Sequence, residues 1–281
     1  MNASSPEISF EFFPPKTADG IAMLTDTRRQ LARLKPAFFS VTFGAGGSTR
    51  DRTFATVIEI QHESGIETAP HLSCINSTHD NIREMLDGYI EHGIRHIVAL
   101  RGDLPSGSGE IGEFRYANEL VSYIRETTGD HFHIEVAAYP EYHPQASSPA
   151  RDLANFKRKV EAGANSAITQ YFYNGDAYFR FVDSCRDSGI DIPVVPGIMP
   201  ITNYYQLARF SDACGAEIPR WVRKRLESYG EDLAAIRAFG EEVVTDLCRR
   251  LLENGAPGLH FYTLNRAAPV LAIWNNLGLG N

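Results

Sequence analysis

The 281-residue sequence contains no polybasic run and no CxxC pair, and no apolar stretch approaches the roughly 18 residues that span a bilayer. Each absence excludes something. With no basic patch, a net charge of −8 and a pI near 5.6, nucleic acids and anionic membranes are poor partners. The four cysteines, Cys74, Cys185, Cys214 and Cys248, are too widely spaced for a zinc ribbon or a dense disulfide framework. They read as free thiols in a reducing compartment. The N-terminal MNASSPEIS has neither the basic nor the apolar part of a secretion signal, so a cytoplasmic location is expected. No Pro, Gly or Ser linker divides the chain, and no repeat is longer than one strand and one helix.

What is present is a rhythm. Eight β-branched or aromatic runs read as strands: 8–13, 38–43, 67–73, 96–101, 133–139, 166–172, 192–198 and 258–264. Amphipathic stretches lie between them. Thr78 and Asp80 suit the start of a helix over 78–93, and Gly93 suits its end. EHGIRHIVAL, EAGANSAITQ and DSGIDIPVVP repeat one grammar: helix, glycine stop, short loop, buried strand. Eight such units over this length predict a single-domain (β/α)₈ barrel spanning residues 1–281. A doubly wound sheet is the alternative, because strand order cannot be read from one sequence.

In a barrel of this kind the chemistry belongs at the C-terminal ends of the strands. Those ends carry Thr42 with the GAGGS loop, His71, Arg101-Gly102-Asp103, Tyr139 with Glu141 and His143, Gln170, and Asn265-Arg266. Each has a plainer explanation. GAGGS lacks GxGxxG spacing and reads equally as a tight turn. A lone His71 suits a core histidine, and Arg101 and Asp103 suit a surface ion pair. His62, His79 and His92 fall on solvated helix faces. The HxH at 131–133 has close spacing but no accompanying carboxylate–histidine set, which argues against a metal. Asp152, Asn155 and Lys159 share one stripe of a helix, a mixture suited to a ribose and a diphosphate or simply to solvent.

Taken together, SFEFFPPKT, SVTFGAGG, APHLSC, GIRHIVALRGDLP, VAAYPEYHP, DLANFKRKVEAGANSAITQYFY, PGIMPITN and HFYTLNR resemble the methylenetetrahydrofolate reductases of the compact bacterial kind, from about residue 8 to residue 275. The resemblance implies a barrel holding FAD. NAD(P)H, with NADH favoured, would reduce the flavin and leave before 5,10-methylenetetrahydrofolate enters and is reduced to 5-methyltetrahydrofolate. It implies Glu11 as general acid and Asp103 beside both flavin and pterin, with Gln170 and Arg266 on the folate. It assigns the flavin to Thr42, Phe43, Ala45 and His71; to Arg101, Gly102, Asp103, Tyr116 and Ala117; to Tyr139, His143 and Ala146; and to Asp152, Asn155, Arg158 and Lys159. Tyr204 stands where relatives carry a stacking Phe on the substrate side. A homodimer or homotetramer is expected, without the C-terminal regulatory domain of eukaryotic relatives.

The acid assigned to Glu11 sets a requirement. Opening the methylene bridge needs a proton at N10, whereas an ordinary glutamate, with a pKa of about 4.3, is ionised at neutral pH. Burial among Phe10, Phe12, Phe13 and two prolines predicts a raised pKa, although only alternate strand residues share Glu11's face. The plainer expectation for Glu11 is an ion pair with Lys16 or an arginine.

Overall fold

The computed structural model describes residues 6–43, 47–102 and 112–280. Strands and helices alternate in the order β1 (Glu7–Phe12), α1 (Ala18–Ala32), β2 (Phe38–Val41), α2 (Gly47–Ser64), β3 (Thr68–Ser73), α3 (His79–Glu91), β4 (His96–Leu100) and α4 (Ala117–Thr128). They continue with β5 (His133–Ala138), α5 (Pro149–Glu161), β6 (Ser166–Thr169), α6 (Gly175–Asp187), β7 (Val194–Val195), β8 (Gly197–Ile198), α7 (Tyr204–Cys214), α8 (Arg220–Ser228), α9 (Leu233–Glu253), β9 (Gly258–Tyr262) and α10 (Ala267–Leu277). All strand pairs are parallel, in the order β7-β6-β5-β4-β3-β2-β1-β9-β8.

The expected barrel is therefore present, with one correction. The seventh strand, read as one run over 192–198, is two short strands on either side of Pro196. Proline has no N–H for the ladder, so the run breaks there. β7 pairs with β6 and β8 with β9, and the Pro196 carbonyl accepts from the His260 N–H at 3.0 Å. The bend at Pro196 thus joins the two ends of the sheet.

Helix starts follow side-chain chemistry. Thr78 Oγ1 accepts from the Asn81 N–H at 3.2 Å, and Gly93 takes the left-handed φ of 73° that ends the unit. Strand alternation then sorts the side chains. Ile8, Phe10, Phe12, Phe39 and Phe261 pack against the helix layer with Leu24, Leu31 and Val57. The opposite face points into the barrel, where Phe38, Ala69, Val98 and Ile168 form a separate apolar layer. Ser9, Glu11, Ser40, His71, His96, Glu135, Ser166, His260 and Tyr262 share that inward face. An interior this rich in ionisable groups is costly unless each group meets a partner.

Candidate active site at the C-terminal mouth of the barrel

Glu11 lies in register with Ser40 on β2 and Tyr262 on β9, facing the barrel axis. Its Oε2 is 3.2 Å from His71 Nε2 and 3.6 Å from His260 Nε2. His260 is oriented from behind by Ser9, whose Oγ is 2.7 Å from its Nδ1. The phenylalanines expected around Glu11 lie off its face. Phe10 and Phe12 belong to the helix-side core, and Phe13 is exposed. The expected pKa shift is corrected with it. Burial alone would push the carboxyl upward, but His71 and His260 outweigh burial and hold it down at about 2. Glu11 is an ionised partner of two imidazoles; its counterions are neither Lys16 nor an arginine.

Above this cluster opens a cavity of about 290 Å³, whose walls include Gln170, Tyr139, Met199 and Tyr262. Val98 and Ile168 line its lower part. Tyr262 is fixed by donation from its hydroxyl to the Thr169 carbonyl at 2.7 Å. The carbonyl oxygen of the Gln170 side chain accepts from the Tyr171 N–H at 3.0 Å.

A second groove of about 510 Å³ adjoins the cavity, and Leu100, Ala137 and Tyr139 line both. It gathers Arg101, Gly102, Tyr116 and Ala117 from the β4–α4 side, Tyr139, His143 and Ala146 from the loop after β5, and Asp152, Asn155, Arg158 and Lys159 from α5. The helix stripe thus lines a groove, which is more than a solvated face provides. Arg158 donates to Asn155 Oδ1 at 2.8 Å, the His143 N–H donates to Asp152 Oδ2 at 3.1 Å, and Lys159 Nζ donates to the Ala137 carbonyl. Burial lowers the Lys159 pKa to about 8 despite Asp152, while burial raises that of Asp152. A partly desolvated ammonium with an arginine one residue earlier suits a diphosphate. The lining that continues to Arg101, Gly102 and the exposed Tyr116 ring suits the rest of a dinucleotide. On this observation the residues fit FAD.

The other expected site residues are placed differently. His71 lines the cavity rather than the groove. Thr42 and Phe43 follow β2, where the Thr42 N–H donates to the Phe12 carbonyl at 2.9 Å, and neither residue lines the groove. Arg266 lines a different cavity of about 510 Å³ between α1, α9 and α10, with Arg237 and Asn265. Tyr204 is buried, and its hydroxyl donates to Glu227 Oε1 at 3.1 Å. Ala45 and Asp103 lie outside the described residues, as does most of the GAGGS loop. Arg101 reaches Gln145 Oε1 at 2.6 Å. Sequence reasoning missed His260, Tyr262 and Met199. Alternation in GLHFY puts His260 and Tyr262 on one face, but only barrel closure makes β9 the neighbour of β1. The HxH histidines separate: His131 contacts the Ile94 carbonyl, whereas His133 turns toward His96 and Glu135.

The family model for methylenetetrahydrofolate reductase matches residues 1–278. The 5,10-methylenetetrahydrofolate reductase of Escherichia coli (strain K12) is 44% identical over 97% of this chain and 90% of its own length. An Arabidopsis thaliana relative, methylenetetrahydrofolate reductase (NADH) 1, is 40% identical over 96% of this chain and 48% of its own length. Among solved structures, an uncharacterized Clostridium thermocellum protein described as binding two copies of 5-methyl-5,6,7,8-tetrahydrofolic acid has a TM-score of 0.69. The match covers 99% of this chain and 95% of that one at 16% identity, a likeness of fold alone.

Proposed function

The chain belongs to the methylenetetrahydrofolate reductase family, and from that premise we propose that it is an FAD-dependent enzyme that uses NADH, with Glu11 as the acid that opens the folate methylene bridge. The single observation that carries this reading is the continuity of the α5 groove with the cavity over Glu11, His71 and His260. Lys159, Arg158, Asn155 and Asp152 would hold the diphosphate and ribose, and the β4 and β5 loops the rest of the dinucleotide. Bound there, FAD supplies two-electron hydride transfer between nicotinamide and folate, the two substrates taking turns. The plant relative named for NADH supports that donor.

The proton is the task of the chain's own residues. At neutral pH Glu11 is an anion, so it must take up a proton before it can act as the acid. A pterin closing the cavity removes water from the ion pair. Desolvation favours the protonated carboxyl over the carboxylate. Glu11 then delivers the proton to N10, with His71 and His260 holding its carboxyl in place. Gln170 on the cavity wall suits the pterin edge. Asp103 would act on both flavin and pterin, Arg266 would bind the folate from the cavity it lines, and Tyr204 would support the substrate side.

Glu11→Gln tests this assignment. The variant should bind FAD and be reduced by NADH at a near-normal rate, and its reduced form should fail to transfer hydride to methylenetetrahydrofolate. Loss of both half-reactions in a folded, yellow protein would reject Glu11 as the acid.

A further inference from the structure

The far end of the barrel interior holds a second ionisable cluster, outside the linings of the cavity and the groove. His96 opens β4, His133 opens β5, and Glu135 lies two residues along β5. The register pairs His96 with His133 and Val98 with Glu135. All three side chains sit on the inward face, one pleat or more below the cavity-lining Val98 and Ala137. His96 and Glu135 are 5% and 3% exposed, whereas the His133 side chain is 47% exposed at the open N-terminal rim.

We propose that His96, His133 and Glu135 bind a divalent cation of the zinc class, bracing β4 to β5 at the N-terminal end of the barrel. The geometry matches. A tetrahedral ion with bonds of roughly 2.0–2.1 Å has ligand atoms separated by roughly 3.3–3.4 Å. Here Glu135 Oε1 is 3.4 Å from His96 Nε2 and 3.5 Å from His133 Nε2, and the ligand atoms of all three residues lie within 4.8 Å of one another. Two imidazoles and one carboxylate form a borderline donor set that suits zinc better than calcium or magnesium. His96 Nε2 is buried without a hydrogen-bond partner, an expensive arrangement that a metal would relieve.

The rings are already placed for this. Phe38 packs on His96 at 4.2 Å between centroids, and His96 on His133 at 4.6 Å. Ser166 Oγ, 2.6 Å from His133 Nε2, stands beside the remaining position and can hold a water there or release the nitrogen to the ion. The half-exposed His133 gives the ion a path in from solvent. Conserved chemistry at this end of such barrels concerns stability rather than turnover, and a strand brace fits that division.

The test is equilibrium dialysis of the full-length, FAD-loaded protein against micromolar zinc, with bound metal measured by mass spectrometry and thermal unfolding recorded in parallel. One equivalent of zinc should be retained and should raise the melting temperature. His133→Gln changes a half-exposed residue, so the variant should fold. It should weaken zinc by at least the roughly 10–100-fold that loss of an outer-shell partner costs, and it should abolish the thermal shift. Glu135→Gln should do the same, and NADH reduction of the flavin should be unchanged in His133→Gln. No retained zinc, or equal retention in His133→Gln, would overturn the proposal and leave the cluster as a proton-sharing pair.

Discussion

Glu11 and His71, on strands β1 and β3 that flank β2, meet inside the barrel with Oε2 and Nε2 3.2 Å apart. The contact makes Glu11 a charge partner as well as the proposed acid, and the two roles predict different things. As a partner, its carboxyl is held at about 2 against an ordinary 4.5. A depressed carboxylate contributes stability above its unfolded pKa, and that stability is lost as pH falls toward the folded value. Urea unfolding of wild type and Glu11→Gln should therefore show a difference that shrinks by on the order of 2 kcal/mol between about pH 5 and about pH 2.5. A difference independent of pH would mean that His71 and His260 do not hold the carboxylate.

The barrel was legible because eight units of helix stop and buried strand fill this length, although the closing strand order that separates it from a doubly wound sheet was not. The break at Pro196 was also present in the sequence, since a proline inside a strand removes a ladder donor. Reading through it gave one strand where there are two. The surroundings of Glu11 were not legible. Strand alternation already separates Glu11 from Phe10 and Phe12, so nearness along the chain was a poor guide to its environment. The residues that set its charge arrive from β3 and β9, and only closure brings β9 beside β1. The α5 stripe was easier to read because helical periodicity alone places Asp152, Asn155 and Lys159 on one face.

Tyr204 and Glu227 provide a check on the position where a phenylalanine was expected. The Tyr204 hydroxyl donates to Glu227 Oε1, joining the start of α7 to the end of α8. Tyr204→Phe keeps the ring and removes that bond, so it should cost about 1 kcal/mol in chemical denaturation. The KM for folate should stay within about twofold, since a stacking ring is retained. A large rise in KM with unchanged stability would instead place the hydroxyl on the substrate.

Gly102 occupies the β4 end of the groove with φ of 87°, a region that side chains avoid. A Cβ there would lie 2.1 Å from Ser73 Oγ and 2.7 Å from Ile75 Cγ2. Gly102→Ala should displace the floor on which the dinucleotide would rest. The purified variant should lose most of its yellow colour while its far-ultraviolet circular dichroism stays that of a folded barrel. Full flavin content at wild-type affinity would show that this turn does not shape the groove.

Lys159 gives the most direct test of the groove, because its charge is poised near physiological pH. Burial lowers its pKa to about 8, with Asp152 only partly opposing the shift. A diphosphate binds the ammonium and not the neutral amine, so FAD affinity should be full below that pKa and fall above it. Fluorescence titration of the apoprotein should give a dissociation constant that is level near neutrality and about tenfold weaker by about pH 9. Lys159→Met should bind FAD weakly at every pH in this range, more weakly still as salt screens the remaining Arg158 contact. Lys159→Arg, charged throughout, should flatten the pH profile while restoring much of the affinity. These slopes separate charge recognition from a merely structural lysine, which would lower affinity without tying it to pH. A level wild-type profile, or a Lys159→Met profile parallel to it, would remove the diphosphate from this helix.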